Sequence, residues 1–138
     1  VHTINSKTVA DSVEAVLELT SRGAHVSIDA IGHPEACYNS VANLRKRGKH
    51  IQVGLMTGEY SATQIPMSQV VAKELEIYGS HGIQAYRYDA VWDMIKTNKL
   101  KPEMLLGKTI SLEESIPALM AMDRYESHGI TIIDPAIN

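Results

Sequence analysis

The side chains that could do chemistry together are a histidine and a cysteine four residues apart. His33 and Cys37 lie at the start of a predicted helix, where this spacing can present two ligands to one zinc ion. Two ligands do not make a metal site, and the sequence has no second cysteine and no two histidines four residues apart. We therefore predict that His33 begins the helix and that Cys37 is a small buried thiol.

Two further polar residues stand inside or after apolar runs. Asp29 interrupts one run, and a buried carboxylate destabilises a fold unless it is hydrogen-bonded or paired. Its carboxylate therefore has a structural partner or faces a ligand cleft, and the sequence leaves both open. His81 lies in a glycine turn, where we expect a backbone contact with a ligand rather than catalysis.

These residues belong to three apolar runs that each close on a glycine, at residues 25–32, 50–55 and 75–82. Runs of this length, separated by stretches long enough for a helix, are typical of parallel strands in a sheet covered on both faces. The carboxyl ends of such strands meet at one edge, where open α/β sheets bind ligands. Glycine there lets a ligand or another backbone segment come close. The sequence predicts an α/β fold with its site at this edge.

Three longer helices are predicted around these strands, and a short one over residues 68–73. The first opens with Thr8 and Asp11 in a capping-box spacing. The second begins at Pro34 and continues to Gly48, and the third covers residues 88–98.

Three other segments carry expectations of their own. Residues 1–5 could form a short strand, and we expect the open edge of the strand at 25–30 to be covered by this segment or by another chain. Residues 45–49 should be the solvated end of the second helix. Residues 62–67 should be extended, since Pro66 bars helix on its N-terminal side.

A boundary is predicted near residue 100. The segment beyond it contains a strand at 105–110, a helix opened by Ser111 and Glu114, and a strand at 130–133. Two short strands and one helix cannot bury both faces of a sheet. Residues 101–138 should therefore belong to another domain's sheet.

The helix of that segment carries two expectations. Pro117 predicts a 3₁₀ first turn or a kink, because proline removes one ladder hydrogen bond. Leu119, Met120 and Met122 are expected in the core.

Composition excludes several classes of protein. A net charge of -3 with scattered basic residues gives no basic patch of the kind that binds nucleic acid. No apolar run approaches the ~18 residues that a membrane span needs. One cysteine in 138 residues fits a reducing compartment, so we expect a cytoplasmic protein without nucleic-acid or membrane partners.

Four stretches carry a resemblance to a known family: HTINSK, GAHVSIDAIGHPEACYNSVANLRKRGKHIQVGL, ELEIYGSHG and LLGKTISLEESIPALMAM. In order and spacing they resemble the zinc-dependent medium-chain alcohol dehydrogenases. The resemblance implies that residues 1–100 are the later half of an NAD(P)-binding Rossmann domain, without its first strands and glycine-rich loop. Residues 101–138 would return to the catalytic domain. The sequence has no G-x-G-x-x-G and begins at Val1, so we expect part of a larger protein.

The resemblance also implies a set of cofactor contacts at the three strand ends. Residues 30–32 would meet the adenosine, residues 53–55 would lie near the nicotinamide half, and residues 79–81 would meet the carboxamide. By name these residues are Ala30, Ile31 and Gly32; Val53, Gly54 and Leu55; and Gly79, Ser80 and His81.

The implied activity is hydride transfer from an alcohol to NAD or NADP, with zinc polarising the alcohol oxygen. No zinc ligand or catalytic residue of the family falls within the chain, so the isolated chain should be inactive. A homo-oligomer through residues 62–67 is also implied. Two alternatives stay open: a stand-alone α/β nucleotide-binding or regulatory module, and a zinc-free quinone reductase relative.

Overall fold

A computed structural model describes residues 1–124 and 128–137. They form two compact units, Val1–Gly82 and Ile83–Asn138. The assignment of residues 1–100 and 101–138 to two domains of a whole protein stays a prediction. Across the described ranges, no helix is long and apolar enough to cross a membrane.

The first unit is built on a three-stranded parallel sheet. Its strands are β1 (Ala24–Asp29), β2 (Leu44–Gln52) and β3 (Glu76–Gly79), in that spatial order. The helices that connect or precede them are α1 (Ser12–Thr20), α2 (Pro34–Ala42) and α3 (Met67–Ala72). The predicted α/β class with a parallel sheet and flanking helices is confirmed.

The register of the sheet aligns the carboxyl ends of its strands. Asp29 pairs with Gln52, and Gln52 pairs with Gly79. All three strands therefore stop at the same level, and the segments that follow them leave the sheet at one edge.

The prediction that the second helix reaches Gly48 is wrong. α2 ends at Ala42, and residues 45–49 lie in β2 rather than at a solvated helix end. β2 contains a bulge, since Ala24 pairs with Leu44 but Val26, two residues later, pairs with Lys49.

Lys73 accounts for this bulge. Its carbonyl accepts a hydrogen bond from Arg47 N at 2.7 Å, and Arg47 has a positive φ of 57°. The Lys73 ammonium donates to the carbonyls of Ala42 and Leu44 at 3.2 and 2.9 Å. These distant partners satisfy backbone groups that a longer helix would have paired locally.

The N-terminal segment also differs from the prediction. Asp11 caps α1 by accepting from Val13 N and Glu14 N at 2.7 and 3.0 Å, so Thr8 is not the cap. Thr8 instead donates its N–H and hydroxyl to Asn5 O, and this turn replaces the strand predicted at residues 1–5.

The open edge of β1 is consequently not covered by residues 1–5. Among the described residues β1 pairs only with β2, and Val26 and Ile28 are 50% and 62% exposed. The predicted cover by this segment is wrong.

The segment before α3 is less extended than predicted. A 3₁₀ helix spans Gly58–Ala62, and α3 begins at Met67, which leaves only residues 63–66 between two helices. Pro66 is buried and Ile65 half-buried. Residues 62–67 thus do not form the exposed apolar edge strand that the sequence suggested.

The second unit contains α4 (Tyr88–Lys96), β4 (Leu106–Ile110), α5 (Leu112–Met120) and β5 (Ile130–Ile133), with β4 and β5 parallel. These elements match the predicted ones within one or two residues.

The start of α5 follows its sequence signal. Ser111 Oγ accepts from Glu114 N at 3.3 Å, and a Glu114 carboxylate oxygen accepts from Ser111 N at 2.9 Å. The helix is α-helical from Leu112 although Pro117 lies inside it, so the predicted 3₁₀ first turn is wrong.

The apolar stripe of α5 is exposed rather than buried. Leu119, Met120 and Met122 are 67%, 76% and 66% exposed, which corrects the expectation that they form core. The second unit has too few strands and helices to cover these side chains, as two strands and one helix in residues 101–138 already indicated.

The buried core of the first unit lies between α2 and the sheet. Val41 and Leu44 are fully buried, and Cys37 and Ala42 are nearly so. Leu44 sits at the start of β2, directly after α2.

Leu44→Ala should lower the free energy of unfolding by about 2–5 kcal/mol, since it leaves a cavity at a fully buried site. Leu19→Ala is the matched control, because Leu19 on α1 is half exposed, and it should cost less than about 1 kcal/mol. Urea unfolding of both variants measures the difference. Equal losses would contradict this description of the core.

Candidate functional site

The residues predicted as cofactor contacts lie where the three strands end. Residues 30–32 follow β1, residues 53–55 follow β2, and residues 79–81 include the end of β3. Because Asp29, Gln52 and Gly79 are in register, these three segments share one edge of the sheet.

Backbone hydrogen bonds tie the three ends together. Asp29 O accepts from Val53 N at 2.9 Å and from Gly54 N at 2.8 Å, while Gln52 O accepts from Ser80 N at 2.9 Å. The edge is therefore a connected piece of backbone rather than three separate loops.

Two of the strand-end glycines serve contact between these segments. A Cβ on Gly54 would lie 2.5 Å from Ile31 C and would overlap Gly32 N, and Gly32 has a φ of +80°. No side chain fits at either position. At Gly79, in contrast, a Cβ would meet no atom within 4 Å, so the end of β3 is open.

Apolar side chains at this edge face solvent. Ile31, Val53 and Leu55 are 77%, 44% and 64% exposed. A cleft of about 400 Å³ opens beside Ile31. Its lining combines apolar and polar side chains from the N-terminal segment, α1 and the start of α2, including Ile4, Val16 and Asn39. An apolar wall with a few polar groups is typical of sites for small organic ligands.

Asp29 has structural partners, which decides between the two possibilities that the sequence left open. The residue is only 3% exposed. Its Oδ1 accepts from Ile31 N at 2.8 Å and Gly32 N at 3.0 Å, and its Oδ2 accepts from Gln52 Nε2 at 2.8 Å. The carboxylate thus closes the turn after β1.

These contacts set the ionisation of Asp29. Burial raises its pKa, but hydrogen bonds from the Gly32 N–H, the Gln52 amide and the Ile31 N–H, with the nearby His50, lower it more. The net pKa lies below the ordinary value of 3.8. The carboxylate is therefore charged at neutral pH.

Sequence reasoning missed His50, which is 1% exposed. Its Nδ1 lies 3.2 Å from Ser27 Oγ and 3.1 Å from Ser40 Oγ, and its Nε2 lies 3.1 Å from Gln52 Oε1. The signal was available: His50 and Gln52 are two apart in a strand and so share one face.

His33 and Cys37 take the structural roles predicted for them. His33 caps α2, its Nδ1 accepting from Glu35 N at 3.3 Å. Cys37 is 5% exposed, and burial, followed by the negative charge of Asp29, raises the pKa of its thiol. Within residues 1–124 and 128–137, no three His, Cys, Asp or Glu side chains are grouped so that they could hold a metal.

His81 and Ser80 lie beyond β3 and are exposed. Ser80 is anchored through its N–H to Gln52 O. The structure places His81 at the edge but gives its ring no role, so its part in ligand binding stays a prediction.

Comparison with known proteins identifies relatives. Residues 1–97 match a family model described as zinc-binding dehydrogenase. A search of curated protein sequences gives no match.

Solved structures share the fold. The chain is similar to 2R,3R-butanediol dehydrogenase from Bacillus subtilis, at 20% identity and a TM-score of 0.82, over 96% of this chain and 37% of that one. It is also similar to benzyl alcohol dehydrogenase from Acinetobacter calcoaceticus, at 24% identity and a TM-score of 0.81, over 96% and 36%. A quinone oxidoreductase from Pseudomonas syringae pv. Tomato has 21% identity and a TM-score of 0.65, over 94% and 41%.

At these identities the likeness shows a common fold. The chain spans little more than a third of the length of the first two solved proteins, 37% and 36%.

Asp29→Asn should lower the free energy of unfolding by about 1.5–3 kcal/mol near neutral pH. The substitution removes charge-assisted hydrogen bonds, and it places the side-chain NH2 of asparagine, a donor, opposite the donor Gln52 Nε2. The native pKa lies below the unfolded value, so the carboxylate stabilises the fold above about pH 4, and this contribution is lost as pH falls through the native value. The difference between the two proteins should therefore shrink in acid.

Urea unfolding from about pH 7 to about pH 3 measures this difference. Asp11→Asn is the control, because Asp11 is an exposed N-cap and asparagine caps as well as aspartate. A difference for Asp29→Asn that stays constant over this range would contradict the assignment.

Proposed function

The chain belongs to the zinc-binding dehydrogenase family, and on that premise we propose that its strand-end edge forms one wall of an NAD- or NADP-binding site in the whole protein. The observation that carries the proposal is the exposure of Ile31, Val53 and Leu55 where three parallel strands end. Ligands of open α/β sheets bind beyond these ends.

Each strand end would meet a different part of the cofactor. Residues 30–32 would contact the adenosine, and the cleft beside Ile31 supports this placement. Residues 53–55 would lie near the nicotinamide half. Residues 79–81 would meet the carboxamide, which the open space at Gly79 supports. Because Ser80 N–H already donates to Gln52 O, other groups of this segment would make the contact.

The proposed reaction of the whole protein is oxidation of alcohols to aldehydes or ketones. NAD(P), when bound, supplies the hydride acceptor for such a reaction. The residues of this chain would hold the cofactor, orient its two halves and exclude water with their apolar side chains.

The described residues do not fit a zinc site, since no three ligating side chains come together among them. The zinc implied by the family would therefore need ligands from beyond the described residues. We propose that the 138 residues alone do not catalyse alcohol oxidation.

A second candidate activity is that of a zinc-free quinone reductase, which the fold likeness to a quinone oxidoreductase supports. A stand-alone nucleotide-binding or regulatory module is the remaining alternative. The coding sequence upstream of Val1 separates the three, because in-frame cysteine and histidine ligands with a glycine-rich loop belong only to the zinc enzyme. A glycine-rich loop without such ligands indicates the reductase, and a nearby start codon indicates the module.

We also propose a homo-oligomer that uses residues 62–67, and a cytoplasmic location. The single cysteine supports a reducing compartment. The exposed side chain of Met67, 56% accessible, supports a contact at the end of this segment, although no strand forms there.

Ile31→Ala in the whole protein should raise the dissociation constant for NADH by roughly 5–30-fold, because it removes apolar contact of about 1–2 kcal/mol. Ile31 is 77% exposed, so folding should be little affected. Val71→Ala on α3 is the control, since Val71 is 74% exposed and lies away from the strand ends.

Fluorescence titration with NADH, or with NADPH if NADH does not bind, measures both variants. Equal affinities in Ile31→Ala and the unsubstituted protein would remove Ile31 from the site. No binding of either dinucleotide would contradict the proposed function as a whole.

Met67→Lys should weaken self-association, because a charge would be buried at the proposed contact. Light scattering coupled to size-exclusion chromatography measures the mass of both proteins. A monomeric unsubstituted protein, or an oligomer that Met67→Lys leaves intact, would refute the assignment of this segment.

A further inference from the structure

We propose that His50 is a positioning residue for the cofactor wall, acting through Gln52 and Asp29. The three side chains form a relay that runs from the middle of the sheet to its edge, with His50 and Asp29 buried and Gln52 half-buried between them. The effect on cofactor affinity rests on the proposed function, whereas the relay itself stands on the geometry of the described residues.

The direction of each hydrogen bond in the relay follows from its partners. Gln52 Nε2 lies 2.8 Å from Asp29 Oδ2 and 2.9 Å from Gly54 O, and both of these atoms only accept. The amide nitrogen of Gln52 must therefore point to the edge, which turns Oε1 toward His50.

This orientation fixes the proton on His50. Its Nε2 lies 3.1 Å from Gln52 Oε1, an acceptor, so Nε2 must carry a hydrogen and donate. Nδ1 of this tautomer has a single lone pair, which accepts from the hydroxyl of Ser27 or of Ser40, at 3.2 and 3.1 Å. Of the two neutral tautomers, only this one fits the bond to Gln52.

Burial makes the arrangement stringent. His50 and Asp29 are 1% and 3% exposed, and Ser40 is 8% exposed, whereas Gln52 is half-buried. Water therefore has little access to replace a lost partner of His50 or Asp29. A buried donor or acceptor left without a partner destabilises the fold by more than one satisfied hydrogen bond stabilises it. Turning Gln52 over would set acceptor against acceptor at Asp29 and Gly54, and donor against donor at His50.

The relay ends on the backbone that forms the cofactor wall. Asp29 Oδ1 holds the N–H groups of Ile31 and Gly32, and Gln52 Nε2 holds the carbonyl of Gly54. The segments after β1 and β2 meet where Gly32 touches Gly54. His50 thus orients both segments without reaching the ligand.

Two substitutions separate this role from general stability. His50→Leu removes the donor to Gln52 and keeps an apolar side chain, whereas His50→Gln keeps an N–H that can donate to Gln52 Oε1. Leu44→Ala is the matched control, because it disrupts a fully buried site at the other end of the same strand.

Amide hydrogen exchange in the whole protein provides the local readout. Ile31 N and Gly32 N bond to Asp29, whereas Ala24 N, at the opposite end of β1, bonds to Asn43 O. His50→Leu should speed exchange at Ile31 and Gly32 at least about fivefold relative to Ala24, by loss of hydrogen-bond support. His50→Gln should restore most of the protection.

The same variants should separate cofactor affinity from turnover. His50→Leu should raise the NADH dissociation constant about tenfold, equivalent to about 1.4 kcal/mol, with a much smaller change in kcat. Leu44→Ala should speed exchange at Ala24 at least as much as at Ile31.

Nitrogen NMR of the unsubstituted protein tests the relay even if His50→Leu does not fold, because it identifies which ring nitrogen of His50 carries the proton. A proton on Nε2 supports the relay, and a neutral ring protonated on Nδ1 overturns it. The relay is also overturned if His50→Leu speeds exchange at Ala24 and Ile31 equally, or if His50→Gln protects no better than His50→Leu.

The two proposals fail differently. If NADH and NADPH do not bind the unsubstituted protein, the proposed function fails while the exchange and NMR results still decide the relay. If NADH binds and His50→Leu leaves its affinity unchanged, the positioning role of His50 is overturned and the cofactor site stands.

Discussion

The buried carboxylate of Asp29 is the constraint on which the edge of the sheet depends. A charge that is 3% exposed must find hydrogen-bond donors inside the protein. Asp29 finds them in the turn after its own strand and in Gln52 on the next strand. Meeting this requirement brings two strand ends together, fixes Gln52 and leaves the apolar side chains of the edge facing solvent.

Local patterns in the sequence predicted much of this fold. The apolar runs located all three strands of the sheet, and Ser111 with Glu114 marked the start of α5, because these signals act within a few residues. The start of β2 was missed, since its bulge depends on Lys73, far along the chain. The cap of α1 was missed because Thr8 binds Asn5 instead.

The position of the candidate site was predictable from the sequence, but the hydrogen bonds among its buried side chains were not. Strand ends and glycines are visible in the sequence, and the resemblance to a known family assigned nine residues at these ends as predicted cofactor contacts. The relay required the register that sets Asp29 beside Gln52 and Ser27 beside His50, and pairing between strands cannot be read from one strand's pattern. The apolar stripe of α5 was evident in the sequence, but its exposure to solvent was not predicted.

The proposed NAD(P) site lies against the strand-end edge of the first unit. The most direct measurement is chemical-shift mapping of backbone amides in the whole protein during titration with NADH. If NAD(P) binds there, the largest changes among residues 1–138 should fall at Ile31, Gly32, Leu55 and His81. Binding that shifts other residues and leaves these four unchanged would contradict it.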